Sequence, residues 1–266
     1  MRRRLREKIN DFKHLTLGLP RFAVKATDCF VTSFPRAGNT WMRYMLLYAL
    51  FPDEQWDLPR IEQRMPIIDR HDIRRAIGAM GDAPFRLFKS HEPFQPHYLA
   101  GRTAYIVRDG RDAIVSYYHY RQHMNHLEME LSQYIDQSLR GRFRYGAWQD
   151  HVAGWLAHAE HPSILIVRYE DMVENPAREL KRVLEHFGQN VSDEQIDRAV
   201  ERSSVENVNK GFAKWAKQQS RQFSGGLGGG SGKGKQLLSA ADQQLFVQYA
   251  GEMLRKLGYL EADHPS

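Results

Sequence analysis

Four short apolar runs constrain the fold more than any other feature of this 266-residue sequence. They are rich in β-branched and aromatic residues, which fit a pleated strand better than a helix. Longer stretches with helical periodicity separate them, and consecutive parallel strands need such crossover segments. The alternation predicts a single α/β domain with a central parallel sheet flanked by helices. The four predicted strands are Cys29–Phe34, Phe85–Phe88, Thr103–Val107 and Ile164–Val167.

Apolar periodicity and terminal signals mark the helices. Pro176 stands in the first turn of one helix and Gly188 follows its end, as is typical of helix termini. Residues 51–84 contain four prolines and predict no long element. The predicted helices are Thr40–Leu50, Asp112–Met124, two within 131–160 interrupted near Gly141, Pro176–Phe187, one that starts with the capping box Ser192–Gln195, and Ser239–Leu257.

The composition excludes several classes of protein. Hydrophobic residues make up 42% of the chain and charged residues 26%, which allows a real core and excludes wholesale disorder. The longest apolar run, Tyr44–Phe51, is too short to span a bilayer, and no apolar segment that would mark a secretory signal follows the Arg-rich start. The single cysteine, Cys29, excludes a disulfide framework and a cysteine-rich zinc site, so we expect a reducing, cytoplasmic location.

The positive charge is confined to one end of the chain. Residues 1–25 hold eight Lys or Arg and two acidic side chains, which accounts for the whole net charge of +6. The rest of the chain is neutral, so we expect no nucleic-acid partner. We divide the chain into a basic segment, 1–25, and a domain, 26–266. Residues 1–15 could contact an anionic membrane surface, and the simpler alternative is a solvated helix packed by a thin apolar stripe.

A turn between the first strand and its helix predicts an anion site. The sequence from Ser33 to Trp41 places a glycine, an arginine and a threonine where backbone N–H groups and the helix N-terminus converge. This is the logic of a P-loop, although the first glycine and the lysine before Thr40 are missing. An ordinary βα turn with an incidental arginine is the alternative.

Further polar residues follow the other strands. Arg108 comes at the end of the third strand, where its planar guanidinium could bind phosphate or pair with a nearby Asp. Lys89 and His91 follow the second strand and point to the same side of an extended segment. Tyr169 follows the fourth strand and could cover a base or the edge of the core. Open α/β sheets bind ligands at this carboxyl edge.

Four segments in order resemble one family, the sulfotransferases that use 3′-phosphoadenosine 5′-phosphosulfate (PAPS). FPRAGNTW is similar to the family's 5′-phosphosulfate loop, and AYIVRDGRDAIVSYY to its 3′-phosphate motif. KSH is similar to its Lys-x-His catalytic segment, and RYEDMVENP to its Tyr-Glu motif. The resemblance covers roughly residues 28–258 and implies a P-loop NTPase-like fold, PAPS as co-substrate, adenosine 3′,5′-bisphosphate as product and no metal.

The resemblance also implies a role for each matching residue. His91 is the general base with Lys89 beside it, and Arg36 interacts with the leaving phosphate. The residues implied to bind the nucleotide are Arg36, Ala37, Gly38, Asn39 and Thr40 at the 5′-phosphosulfate, Trp41, Tyr169 and Ser203 at the adenine, and Arg108 and Ser116 at the 3′-phosphate.

Two positions depart from the family pattern. Arg36 stands where the best-known animal enzymes have lysine, and it would act as a fork instead of a point charge. The late Arg-Lys-Gly-x-x-Gly-x-Trp motif is degraded, with Gly234 where tryptophan is expected. Arg221, Lys233 or Lys235, in or beside the glycine-rich loop Ser224–Gly234, is expected to complete the 3′-phosphate site.

We therefore expect sulfuryl transfer to a hydroxyl of a small-molecule, glycan or lipid acceptor, by in-line displacement. The alternative is a P-loop-like small-molecule kinase, which should carry the Walker lysine and acidic magnesium ligands. A third possibility is a nucleotide-binding module without catalysis. Residues 52–84 and 119–146 are expected to form the acceptor pocket. His119 and His123 have a metal-like spacing without a carboxylate partner, and Trp148, His151 and Trp155 are expected in the core or the pocket wall.

Overall fold

Four parallel strands form a central sheet in the order β2-β1-β3-β4. The computed structural model describes residues 22–68, 73–80, 85–204, 206–210 and 232–261. Val31 of β1 pairs with Lys89 of β2 on one side and with Ala104 of β3 on the other. The strands are β1 (Asp28–Ser33), β2 (Arg86–Ser90), β3 (Arg102–Val107) and β4 (Ile164–Arg168).

Ten α-helices in the described part of the chain enclose this sheet, besides a helical stretch at residues 206–210. They are α1 (Asn39–Leu50), α2 (Leu58–Arg64), α3 (Ile73–Met80), α4 (Gly110–Asn125), α5 (Leu131–Leu139), α6 (Trp148–Leu156), α7 (Tyr169–Glu174), α8 (Pro176–His186), α9 (Asp193–Arg202) and α10 (Ala240–Lys256). Short 3-10 turns cover Pro96–Ala100 and Lys235–Leu237.

The sheet separates two apolar cores because side chains alternate along each strand. Cys29 and Val31 of β1 face one core, which α1, α8 and α9 close. Phe30 of β1 and Tyr105 of β3 face the other, with α4, α5, α6 and α10. Each strand is thus covered on both faces, which explains its continuous apolar sequence.

The order of the strands locates a crevice at the carboxyl edge. The chain leaves β1 toward β2 on one side and leaves β3 toward β4 on the other. The connections diverge between β1 and β3, and open α/β sheets bind ligands at such a point. The turn after β1 and Arg108 after β3 both lie here.

The predicted fold class and the four predicted strands are confirmed, with bounds that shift by one or two residues. The capping box at Ser192 is present and starts α9. Three helices were missed, namely α2 and α3 in the proline-rich stretch and α7 directly after β4. Pro59 is compatible with α2 because it lies in the first turn, where its missing N–H has no acceptor anyway.

Some predicted features lie outside the described residues. These are the periodic part of the basic segment and the glycine-rich loop as far as residue 231. In the part of the chain that the structure describes, no helix combines the length and the apolar character that a membrane crossing needs.

Candidate active site

The carboxyl edge of the sheet brings together the residues that the sequence analysis singled out. The turn 34–38 follows β1, Lys89 and His91 lie at the end of β2, Arg108 follows β3, and Tyr169 follows β4. The four motifs are thus neighbours in space because four parallel strands end at one edge.

The turn after β1 forms a tight backbone cradle at the N-terminus of α1. Gly38 has φ +106°, and a Cβ at this position would lie 2.6 Å from the Tyr169 ring. Only glycine allows both the left-handed backbone and the contact with the ring. The first-turn N–H groups of an α-helix have no acceptor within the helix, so the start of α1 suits an anion.

Asn39 and Ala37 hold this cradle in place. The Asn39 side-chain amide is buried and donates to the carbonyls of Val31, at 3.0 Å, and Ser90, at 3.4 Å. It therefore ties the turn to the two strands β1 and β2. The Ala37 N–H donates to the Phe34 carbonyl at 3.3 Å.

Arg36, which the family resemblance assigns to the 5′-phosphosulfate, contacts Ser116, which it assigns to the 3′-phosphate. Its Nε donates to Ser116 Oγ at 3.1 Å, and its guanidinium lies 5.2 Å from the centre of the Tyr120 ring. Its backbone adopts φ 69°, which is uncommon for a residue with a Cβ. Burial lowers the pKa of the Arg36 guanidinium, an effect that Tyr120 opposes.

Arg108 joins the loops after three strands. It is buried, and its Nη1 donates to the Arg36 carbonyl at 3.1 Å. Its guanidinium lies 4.2 Å from the centre of the Tyr169 ring and 3.7 Å from the Asp112 carboxylate. Arg108 is therefore a positive charge in the crevice with contacts on several sides, beside the ring that covers Gly38.

His91 is held in one orientation by the end of β1. Its Nδ1 lies 2.8 Å from the Ser33 carbonyl oxygen and 3.4 Å from Ser33 Oγ. Because a carbonyl only accepts hydrogen bonds, we assign the proton to Nδ1, which leaves the lone pair on Nε2. Burial and, next, the Lys89 charge hold the pKa of His91 well below its ordinary value. The neutral ring is therefore a proton acceptor at neutral pH, and Tyr145 meets it edge to face at 5.7 Å.

Trp41, Tyr169 and Ser203 lie together beside the cradle. The Trp41 and Tyr169 rings meet edge to face at 6.3 Å, and the Trp41 indole N–H donates to the Ser203 carbonyl at 2.9 Å. The Ser203 hydroxyl is fully buried and donates to the Ala199 carbonyl at 2.6 Å. Because its proton is used in this bond, the Ser203 hydroxyl could only accept a hydrogen bond from an adenine.

The described end of the glycine-rich loop packs on the first turn of α4. The N–H groups of Gly232 and Gly234 donate to the Asp112 carboxylate at 2.6 and 2.7 Å. Lys235 pairs with Asp109 at 3.1 Å, and Lys233 is exposed. Arg221 lies outside the described residues.

Three further residues of this site were named by the sequence analysis without a specific role. A nearby Asp was a possible partner of Arg108, and Asp112 lies 3.7 Å from it. Tyr145 lies in the stretch 119–146 that was expected to form the acceptor pocket, and His151 was expected in the core or the pocket wall. No sequence signal connects Tyr145 or His151 with His91. Among the described residues, no group of three or more His, Cys, Asp or Glu side chains could hold a metal ion.

The sequence and the fold are similar to those of known proteins. The family model for the sulfotransferase domain matches residues 26–257. A 3-alpha-hydroxysteroid sulfotransferase of Cavia porcellus is 27% identical, over 70% of this chain and 67% of that protein. Sulfotransferase 1A1 of Bos taurus is 30% identical, over 72% of this chain and 69% of that protein.

A similar solved structure is that of retinol dehydratase in a complex with retinol and PAP. It superposes with a TM-score of 0.74 at 17% identity and covers 93% of this chain and 86% of that one, which shows the common fold. These findings confirm the predicted fold class and the predicted enzyme class, a PAPS-dependent sulfotransferase, and favour it over the kinase alternative. With its family match, its relatives and its fold in agreement, the chain belongs to the sulfotransferase domain family.

Proposed function

We propose that this enzyme transfers the sulfuryl group of PAPS to a hydroxyl of a small-molecule acceptor, with His91 as general base. The observation that carries the proposal is the His91 ring, whose Nδ1 is fixed on the Ser33 carbonyl at 2.8 Å beside the anion cradle. One relative of this chain is named for a hydroxysteroid, and the structurally similar retinol dehydratase was solved with retinol, so a small hydroxyl compound is the acceptor class best supported.

The residues at the crevice fit an adenosine nucleotide with phosphates at both ends. The cradle at Gly38, where a Cβ would collide with the Tyr169 ring, supplies first-turn N–H groups for one anion. Arg108, buried and forked, supplies charge-assisted hydrogen bonds for a second. Trp41 and Tyr169 supply aromatic surface beside them. Lys235 is 42% exposed on its side chain and shares Asp109 with Arg111, so it could turn from that carboxylate to a 3′-phosphate.

The reaction breaks the bond from sulfur to the phosphate oxygen and forms one from sulfur to the acceptor oxygen. The chain's part is to position these atoms and to neutralise the negative charge that grows on the leaving oxygen. Arg36, on the turn that forms the cradle, is assigned that role, for which its side chain would leave the contact with Ser116 Oγ. Lys89 adds positive charge at the end of β2 and, after burial, is the second cause of the lowered pKa that keeps the His91 imidazole neutral.

His91 accepts the proton of the acceptor hydroxyl at Nε2. Its Nδ1–H stays donated to the Ser33 carbonyl oxygen, so this hydrogen bond opposes a rotation of the ring that would present the wrong nitrogen. After the transfer the ring is charged, and burial together with Lys89 favours rapid loss of that proton.

Replacing His91 with alanine tests the proposal. We expect turnover to fall by about a hundred- to ten-thousandfold, the usual contribution of a general base. The affinity for adenosine 3′,5′-bisphosphate, measured by calorimetry, should not change because the base acts on the acceptor. His161→Ala is the matched control, since His161 lies before β4 at the opposite edge of the sheet. Near-normal turnover in His91→Ala would remove this residue from the mechanism.

The acceptor site is proposed to lie on the side of His91 formed by residues 119–146. Tyr120 lies against Arg36 and Tyr145 against His91, which supports this assignment. A screen of sterols, phenols, retinoids and sugars as acceptors, read by mass spectrometry, identifies the class. Glycan and lipid acceptors belong in the same screen.

We propose a cytoplasmic location from the single, buried Cys29, which fractionation of the native source would test.

A further inference from the structure

One face of α6 carries three buried N–H donors that all act outside the helix. Trp148, His151 and Trp155 are spaced by three and four residues and are fully buried. The Trp148 indole donates to the Arg108 carbonyl at 3.2 Å, and the Trp155 indole to the Glu92 carbonyl at 3.3 Å. Between them, His151 Nε2 lies 3.1 Å from the His91 carbonyl. All three acceptors belong to the carboxyl edge of the sheet.

These carbonyls lie just beyond the ends of the strands, where no neighbouring strand in the described part of the chain offers an N–H donor. β2 ends at Ser90 and β3 at Val107, so the acceptors belong to residues just beyond the ladder. A buried carbonyl needs a donor, and here side chains of one helix provide it. The helix therefore fixes the backbone that carries His91 and the backbone that carries Arg108.

The His151 ring is locked in the tautomer that this contact needs. The His91 carbonyl only accepts, so we place the proton on Nε2. The Tyr105 hydroxyl lies 2.9 Å from Nδ1 and donates to its lone pair. Burial lowers the pKa of His151 to about 4, so the ring stays neutral and keeps both contacts at neutral pH. Phe34 meets the same ring edge to face at 5.5 Å.

The chain also leaves room for this helix at the start of α4. A Cβ on Gly110 would lie 2.5 Å from the Trp148 indole, so the backbone of α4 touches the ring directly. Glycine at this position allows Trp148 to reach the carbonyl of Arg108 two residues earlier.

We propose that the donor face of α6 is the positioning element of this active site and that His151, oriented by Tyr105, positions His91. This inference rests on the proposed role of His91 as the base. His151 does not touch the reacting atoms, and it acts by holding the His91 carbonyl so that the imidazole keeps its place on Ser33. Loss of its donor should lower kcat and leave the binding of nucleotide unchanged.

Three variants separate orientation from mere packing. His151→Phe keeps a buried ring against Tyr105 and Phe34 and loses the donor. His151→Gln keeps a side-chain N–H that reaches the same carbonyl. Tyr105→Phe removes only the hydroxyl that selects the tautomer. The matched control is His186→Phe, since His186 also contacts a backbone carbonyl, that of Ser163 at 3.2 Å, but at the opposite edge of the sheet.

We expect kcat to fall about ten- to a hundredfold in His151→Phe, the usual cost of a misplaced reacting group. Tyr105→Phe should show a smaller fall, and His151→Gln should recover most of the wild-type kcat. Calorimetry with adenosine 3′,5′-bisphosphate should give the wild-type dissociation constant in all of them. His186→Phe should lower the melting temperature and leave kcat unchanged.

Wild-type kcat in His151→Phe would overturn the proposal, as would equal losses in the Phe and Gln variants. If His151→Phe does not fold, wild-type kcat in Tyr105→Phe overturns it instead. His91→Ala is measured in the same assay. If that variant keeps its turnover, the proposed base is wrong, whereas an inactive His91→Ala beside a fully active His151→Phe rejects only the positioning role.

Discussion

Arg108 shows how one side chain can serve both the fold and the ligand. Its guanidinium donates to the Arg36 carbonyl and lies over the Tyr169 ring. From the sequence, we expected the same side chain to bind the 3′-phosphate. Its neighbour Asp112 lies 3.7 Å away and is already bonded by two backbone N–H groups. The guanidinium is therefore held in place by weak contacts on several sides, which is what a preorganised phosphate ligand requires.

Arg108→Ala should weaken nucleotides that carry a 3′-phosphate far more than those that lack one. A charge-assisted hydrogen bond contributes roughly 1.5–3 kcal/mol, so we expect a loss of about ten- to a hundredfold in affinity. Calorimetry with adenosine 3′,5′-bisphosphate and with adenosine 5′-phosphate gives the comparison. Equal losses for the two nucleotides would show that Arg108 only supports the loops.

The sequence predicted the residues whose own side chains are assigned to bind or react. It did not predict residues that act by bonding to a distant backbone carbonyl. His91, Lys89 and Arg108 follow strands that periodicity reveals, so their meeting at one edge was predictable. His151 acts on a carbonyl 60 positions away in the chain, and no local pattern encodes such a contact. Its spacing with Trp148 and Trp155 indicated only a buried face.

At the scale of elements, the described end of the glycine-rich loop is attached to α4 and not free. Asp112 lies in the first turn of α4 and accepts from two loop N–H groups. The sequence predicted a flexible loop from its glycines, and it could not predict that these glycines supply backbone donors to a buried carboxylate. The prolines likewise led the sequence analysis to miss α2. Its start is fixed by the Asp57 side chain, which accepts from the Arg60 N–H.

Asp112→Ala should release this attachment. Loss of the carboxylate leaves the Gly232 and Gly234 N–H groups without their acceptor, and we expect a loss of about 1.5–3 kcal/mol in the free energy of unfolding. Hydrogen exchange at residues 232–238 should become faster. Asp136→Ala is the control, because its ion pair with Arg140 is exposed and exposed ion pairs contribute little to stability. Unchanged exchange at 232–238 in Asp112→Ala would contradict the attachment.

At the scale of the whole molecule, the division of the chain into a basic segment, 1–25, and a domain, 26–266, stays a prediction. The family match begins at residue 26, close to the boundary expected from charge alone. The charge excess lies before every motif of the site. We therefore expect the segment to be dispensable for the chemistry, whatever surface it contacts.

Deleting residues 2–13 should leave kcat on a small-molecule acceptor unchanged and should lower the binding of anionic vesicles, a contact that salt screens. Vesicle sedimentation at low and high salt measures this binding, and neutral vesicles are the control. If the deletion abolishes the activity, the segment packs on the catalytic domain and our boundary is wrong.

The edge of the sheet at β2 bears on how this protein avoids aggregation. The Lys89 N–H donates to the Pro66 carbonyl, and the Lys89 carbonyl accepts from the Ile68 N–H, both at 3.0 Å, so an irregular segment covers the end of the strand that leads to His91. Proline has no N–H to offer to a further strand. This strand end is thereby closed to β-pairing with another copy of the chain, and the crevice can stay open to small molecules without exposing a template for fibril growth.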